Sequence, residues 1–438
     1  MAITRRQFVT RLGALAAAMG ISQSQLAQMT EAFAYEPWDS LGTSKPKVIW
    51  VHGAECTGCS TSILGLFEDA REDTEAGVTA LAALMAVVGE TNATNFLANY
   101  RTRVNSIGNY EDNAYVVDIA DVLLDFIDLQ YHETIMGMGG DLAATYLKDQ
   151  MAYADSGNPF VLVVEGAVQP KEATGYWDST YTTGNAPWCS IGVTESFTTS
   201  DVELSFDDVV YDLANSANCK AIVAVGQCAT FGGYPAAVSP ILREGMTGAM
   251  GVYEFLTYKE SDAASKVINV PGCPTNPWWF ALTVIAWLVD ACTILRGGNP
   301  VLGVLNSDLS INTAAVDRDR RLTAVYGYPV HGPYCPRFPK HATYQYAEEP
   351  GQAGCMFELG CKGPFTSSMC GVHGWNGQQP KLLFDGNPYS SDEFGVATQC
   401  KTVGNGRVGG FCVAAGSTCK GCTERGYPDS FVPFVALD

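Results

Sequence analysis

Positive charge is scarce in this chain. Its 438 residues carry 26 Lys and Arg against 46 Asp and Glu, a net charge of −20. A protein that grips nucleic acid needs cations to neutralise phosphates, so that function class is excluded. Long apolar runs are also lacking. The most apolar stretch, Trp278 to Leu295, is opened by Pro277 and interrupted by Asp290 and Cys292, which reads as a buried helix and not as a membrane span. The chain has no internal repeat and no low-complexity tract, which excludes stacked-repeat architectures. With 47% apolar and only 16% charged residues, the composition is that of a packed globular protein, long enough for two or three domains.

The first residues read as a targeting segment. Thr4-Arg5-Arg6-Gln7-Phe8-Val9 is a twin-arginine pattern, a mildly apolar run from Leu12 to Ile21 is too short to span a bilayer, and Ala32-Phe33-Ala34 offers a cleavage site. Residues 1–34 are therefore set aside as a twin-arginine signal peptide, and the expected location is the periplasm or the outer face of the cytoplasmic membrane. Twin-arginine export moves folded proteins, often with a cofactor already inserted.

Cysteine is what the chain has in quantity. Fifteen cysteines in an exported protein first raise disulfides. Their number is odd, the chain is too large to need staples, and the cysteines cluster. Cys56/Cys59 and Cys419/Cys422 form C-x-x-C pairs, and eight lie from Cys335 to Cys422. Metal ligation fits this pattern better. Thiolates in sets of four suit iron–sulfur clusters, with histidine as an occasional substitute, and C-x-x-C alone suits zinc as well.

The first 300 residues read as α/β. Short buried-strand patterns occur at Lys47 to Val51, Tyr115 to Ile119, Phe160 to Val164, Ala221 to Val225 and Val267 to Val270, with helical patterns between several of them, notably Val122 to Met138. The alternation predicts a doubly wound parallel sheet. Cys56 and Cys59 follow the first strand, Glu165-Gly166 the third, Cys228 the fourth and Cys273 the fifth. Ligands of open parallel sheets bind outside the carboxyl ends of the strands, so these four thiols can converge. Residues 69–113 read as an insertion. Beyond residue 300 Pro, Gly, Tyr and Cys become frequent and long periodic runs disappear, a texture that bound metal can hold together.

Taken in order, these motifs resemble the small subunit of nickel–iron hydrogenases. They are Glu55-Cys56-Thr57-Gly58-Cys59-Ser60, Tyr131-His132-Glu133-Thr134-Ile135-Met136, Val164-Glu165-Gly166-Ala167, Gly226-x-Cys228-Ala229-Thr230-x-Gly232-Gly233, Gly272-Cys273-Pro274-x-Asn276-Pro277 and Glu358-Leu359-Gly360-Cys361-Lys362-Gly363-Pro364. The resemblance implies a flavodoxin-like domain over residues 35–300 and an irregular, cysteine-rich C-terminal domain over 301–438. It also implies three clusters. A proximal [4Fe–4S] cluster would use Cys56, Cys59, Cys228 and Cys273. A distal [4Fe–4S] cluster would use His331, Cys335, Cys355 and Cys361, although His331 and Cys335 are separated by one residue more than the family usually shows, and His341 competes for the role. A medial cluster would use Cys370, Cys419 and Cys422. Cys412 stands where many relatives with a [3Fe–4S] medial cluster have proline, so a fourth iron and a medial [4Fe–4S] cluster are expected, with [3Fe–4S] as the alternative.

The resemblance further implies a partner, the large subunit that carries the nickel–iron centre, and a role in relaying electrons during H2 oxidation or production. The electron partner would be a c-type cytochrome or a membrane cytochrome b. Positions of two extra cysteines found in some oxygen-tolerant relatives correspond to Gly58 and Gly233, so an ordinary proximal cluster is expected. Glu55 has two readings, a proton relay at the subunit interface and a carboxylate that accepts from backbone donors around the site. His132 reads as a packed helix residue, and His52 and His373 carry no signal. Cys219 and Cys292 read as core thiols, a Cys189–Cys400 disulfide is conceivable, and Cys400 is the reserve ligand for the medial site. The rival functions are an exported cysteine-rich protein held by disulfides or zinc, and the iron–sulfur subunit of another oxidoreductase. The quinone-side subunit of respiratory complex I is of the latter kind, but it lacks the C-terminal cysteines.

Overall fold

A computed structural model describes residues 47–64, 67–69, 115–118, 127–172, 187–194, 202–237, 247–295, 297–300, 302–332, 335–370, 411–413 and 416–428. The signal segment, all but the first residue of the expected insertion, His373 and Cys400 lie outside them. The elements begin with β1 (Lys47–His52), α1 (Gly58–Leu64), β2 (Phe67–Asp69), β3 (Tyr115–Asp118), β4 (Asp128–His132) and α2 (Gly140–Asp155). They continue through β5 (Phe160–Glu165), β6 (Ser190–Thr194), β7 (Val202–Ser205), α3 (Phe206–Asn215), β8 (Cys219–Val225) and α4 (Gly226–Phe231). Then come α5 (Val252–Tyr258), β9 (Val267–Val270), α6 (Pro277–Leu295), α7 (Thr323–Tyr326) and α8 (Phe338–Ala342).

Five strands form one sheet in the order β4-β1-β5-β8-β9, and every neighbouring pair is parallel. Counted within the sheet this is the 2-1-3-4-5 order of flavodoxin-like folds, with its reversal between β1 and β5. The inner strands are continuous apolar runs because helices cover both faces. Side chains alternate across the sheet. Val48, Trp50, Val161, Val163 and Val223 pack against Trp279, Phe280 and Trp287 of α6. Ile49, Val51, Leu162, Val164 and Ile222 face Leu147 of α2, Phe206 and Leu213 of α3 and Phe255 of α5.

Two expectations need correction. Tyr115–Asp118 is a strand, but it pairs antiparallel with Phe67–Asp69 in a separate two-stranded ribbon. The missing strand of the parallel sheet is β4, which lies inside the stretch Val122 to Met138 that reads as helix. His132 is accordingly the last residue of a strand, opposite Trp50. The first three residues of β4 are only half-buried, so their apolar pattern fits either period. Pairing to the open edge of β1 decides the conformation, a tertiary effect that local pattern does not contain.

No helix among the described residues is long and apolar enough to cross a membrane. Asp290, buried in the middle of α6, has a clear structural use. Its carboxylate accepts the backbone N–H groups of Leu302 at 2.7 Å, Val304 at 2.6 Å and Leu305 at 3.1 Å, and so pins the first turn of the loop region to the helix.

Candidate iron–sulfur sites

The loop after β1 and the start of α1 carry Cys56 and Cys59, and a carboxylate from the next strand holds them. Glu165, at the end of β5, accepts the N–H groups of Cys59 and Ser60 at 3.1 and 3.0 Å on one oxygen. Its other oxygen accepts the Ser60 hydroxyl at 2.6 Å. Across the site the Thr275 N–H donates to Cys59 Sγ at 3.3 Å. Gly226 closes the approach from β8. Its φ is +83°, and a Cβ there would stand 2.3 Å from Cys59 Sγ, so only glycine fits. Cys228 follows on α4, and Cys273 follows β9.

The four thiols lie close enough to oppose one another's ionisation. Burial pushes the Cys59 thiol far up, with Glu165, Cys228 and Cys273 adding to the shift. Burial first, then Cys273 and Cys56, raise Cys228 to about 12. Without a cation such a set holds protons; with one it holds the metal as thiolates. A Cβ on Gly58 would stand 3.0 Å from Cys56 Sγ, and one on Gly233 would stand 2.9 Å from Cys228 Sγ. Both glycines thus border sulfurs of the expected proximal set.

In the loop region burial lifts Cys335 to about 12, and Cys361 and Cys355 reinforce it. His331 and His341 both stand here, with ring centroids 4.4 Å apart. His341 Nδ1 lies 3.4 Å from Cys355 Sγ. The His331 Cβ and Cys361 Sγ flank Gly363, and the Gly363 carbonyl accepts the His331 N–H at 3.1 Å. The structure therefore brings both competing histidines to one thiol set. In the third set burial pushes Cys422 far up, and Cys370, Cys419 and Cys412 are its neighbours. Cys412 lies between sets, near Cys361 as well as Cys422.

The sets adjoin one another. The Cys419 N–H donates to Cys361 Sγ at 3.3 Å, and the Cys273 backbone is close enough to Cys422 to counter part of the upward push on its thiol. Thiols gathered in groups, with amides aimed at two of the sulfurs and glycines where a Cβ would intrude, suit iron–sulfur clusters. No disulfide joins two cysteines among the described residues. Cys219 is buried in the core beside α3, as expected of a packing thiol. Cys189 is half-buried at the rim of the same core. Cys292 falls on α6, with its side chain outside the described set.

Several residues carry no sequence signal strong enough to single them out. His52, at the end of β1, pairs through Nδ1 with Glu55 at 3.2 Å, and both side chains are nearly buried. Burial lowers the His52 pKa, but Glu55, Glu165 and Glu133 outweigh it and the net shift is upward. Glu55 also accepts the Thr57 hydroxyl at 3.0 Å, while Glu165, not Glu55, takes the backbone donors around Cys59. Ligand atoms of His52, Glu55 and Glu165 lie within 4.8 Å of one another; His52 Nδ1, Glu55 Oε1 and both Glu165 oxygens are hydrogen-bonded, while His52 Nε2 and Glu55 Oε2 are buried without a partner. A histidine ending a central strand, three residues before a glutamate, was the available cue for this pair. His132 is buried and neutral: burial and then His52 depress it to about 3, and its Nε2 stands 3.2 Å from Ser60 Oγ.

A 2-1-3-4-5 sheet with four thiols at its carboxyl edge, continued by a loop region holding more, is the architecture of a protein suited to holding iron–sulfur clusters. Comparison with known proteins narrows the class. The family model of the NADH ubiquinone oxidoreductase 20 kDa subunit matches residues 113–287. The family model of the C-terminal part of the NiFe/NiFeSe hydrogenase small subunit matches residues 326–388. The periplasmic [NiFeSe] hydrogenase small subunit of Desulfomicrobium baculatum is 28% identical, over 100% of both chains. The periplasmic [NiFe] hydrogenase small subunit 1 of Nitratidesulfovibrio vulgaris is 26% identical, over 99% of this chain and 93% of that one. The solved [NiFeSe] hydrogenase of Dm. baculatum superposes with a TM-score of 0.58 at 25% identity, covering 90% of this chain and 99% of that one. Over nearly its whole length the chain is similar to the small subunits of nickel–iron hydrogenases. It is one part of a hydrogenase, paired with a large catalytic subunit, and subunits of this family bind iron–sulfur clusters.

Proposed function

We propose that this chain is the electron-transfer arm of an exported hydrogenase, holding three clusters and relaying electrons between the large subunit and a redox partner. The observation that carries the reading is the grouping of thiols into three adjoining sets, starting at the carboxyl edge of the sheet. Cys56, Cys59, Cys228 and Cys273 hold a proximal [4Fe–4S] cluster. Cys335, Cys355 and Cys361 with His331 hold a distal one, and His341 hydrogen-bonds the Cys355 sulfur beside it. Cys370, Cys412, Cys419 and Cys422 hold a medial [4Fe–4S] cluster. Such clusters supply one-electron storage spread over several irons. The chain's own contribution is to exclude water and to aim amides at the sulfurs. The nickel–iron centre belongs to the large subunit, and Glu55, backed by His52 and Thr57, is placed to hold a proton beside the first ligand.

Export by the twin-arginine route follows from residues 1–34, the periplasmic names of relatives support the location, and a c-type or membrane b-type cytochrome is the electron partner. The domain division is 35–300 and 301–438, with an insertion at about 69–113. Hydrogen-dependent dye reduction by the co-purified two-subunit complex tests the whole reading. A colourless, inactive complex overturns it. EPR of the oxidised complex tests Cys412: a weak or absent three-iron signal is expected, and a strong one assigns the medial site three irons.

A further inference from the structure

Two hydroxyls are buried against the medial sulfurs, and they differ in where their protons go. Ser368, 3% exposed, places its Oγ 3.0 Å from Cys370 Sγ. That is closer than the amides on Cys59 and Cys361, which stand at 3.3 Å. An iron-bound thiolate carries no proton and can only accept, so the Ser368 O–H is the donor. Thr366, also 3% exposed, stands 3.5 Å from Cys419 Sγ. Its proton is already engaged, since its hydroxyl donates to the Lys362 carbonyl at 2.7 Å. It therefore offers the Cys419 sulfur a lone pair and no proton.

The segment that carries Ser368 is held from two directions. Towards the distal loop, the Ser368 N–H donates to the Tyr328 carbonyl at 2.8 Å, and the Val330 N–H donates to the Thr366 carbonyl at 2.8 Å. Towards the last turn, the Ser367 N–H donates to the Glu424 carboxylate at 2.7 Å, and the Thr423 hydroxyl donates to the Ser367 carbonyl at 3.1 Å. Thr423 follows Cys422 directly, so the donor and the medial ligands are fixed in one register. A donor fixed on a ligand sulfur favours the more negative, reduced cluster, and a fourth thiolate disfavours it. Ser368 thus offsets, at Cys370, part of the charge that Cys412 adds to the same set.

We infer that Ser368, by donating to Cys370 Sγ, raises the reduction potential of the medial cluster. The inference rests on the three-cluster reading above. Ser368 is a positioning residue, acting on the cluster through Cys370. The test is an EPR-monitored redox titration of the purified two-subunit complex, with the medial signal assigned by its change or loss in Cys422→Ser. Ser368→Ala should lower the medial midpoint and leave the proximal and distal midpoints in place. Ser368→Thr, which keeps the hydroxyl, should hold the medial midpoint close to that of the unmodified complex. Thr366→Val, similar in shape but without a hydroxyl, should not lower it, a contrast that loosened packing cannot produce. An unmoved medial midpoint in Ser368→Ala, an equal shift of all signals, a Thr variant as low as the Ala variant, or an equal fall in Thr366→Val would overturn the inference. Loss of the medial iron in Ser368→Ala would overturn it too, because the residue would then be needed to build the site. Absence of a medial signal from the unmodified complex would instead overturn the reading beneath it.

Discussion

The carboxyl edge of the sheet and the loop region solve the same chemical problem in different ways. At the sheet edge a large two-sided core exists independently of any ligand, and strands end where thiols are wanted. Residues 304–326 still join the main core, but from residue 330 on the described apolar cluster is small, with Val330, Ala347, Met356, Phe411 and Val413 packed around cysteines themselves. What organises it is polar. Arg337, 1% exposed, donates to the Gln352 and Gly354 carbonyls and to that of Val413. One side chain thereby ties together the loops that carry Cys335, Cys355 and Cys412. Burial lowers its pKa, and the neighbouring Cys335, Cys355 and Cys361 offset only part of that. In the first region the fold builds the site; in the second the site helps build the fold.

Removing iron breaks the comparison most sharply. In the metal-free chain amide protection should vanish around Cys355 to Cys370 and persist in β1, β5 and β8, as read by hydrogen exchange. Equal loss in both regions would erase the distinction. Gly226→Ala attacks the sheet edge alone. The added methyl meets Cys59 Sγ in a left-handed backbone, so the complex should lose the proximal cluster, while its far-ultraviolet circular dichroism stays unchanged. Retention of full iron content would show that the edge yields as loops do. Arg337→Leu attacks the loop region alone. It strands buried carbonyls and should cost about 3 kcal/mol, seen as faster exchange near Gly354 with β5 unaffected.

The smallest effect is one of pH. His132 is depressed to about 3 when folded against about 6.5 unfolded, so the unfolded chain binds the extra proton between these values. Stability from this group is full above pH 6.5 and is lost as pH falls. His132→Gln should therefore flatten the decline in melting temperature between pH 6.5 and 5, and an unchanged slope would assign the acid sensitivity elsewhere.

The legible parts of this protein were those written in local pattern or in residue type. β1, β5, β8 and β9 are unbroken β-branched and apolar runs, and the thiols announce themselves by chemistry. The strand β4 was not legible, since its half-exposed pattern suits a helix until β1 offers an edge. Nor was the His52–Glu55 pair, because neither residue type is rare and only the convergence of β1 with the following turn makes it close. Arg337 sits in irregular sequence, where no period predicts which carbonyl a side chain will meet.

The sequence by itself determined the clustering of cysteines along the chain and the existence of a parallel sheet, because residue chemistry and β-strand periodicity are properties of residues. Only the tertiary structure decided that both His331 and His341 reach one set, that Glu165 and not Glu55 anchors the first loop, and that a backbone amide joins one set's residue to the next set's sulfur. Those are distances between segments far apart in the chain, and they come into being only when the segments pack.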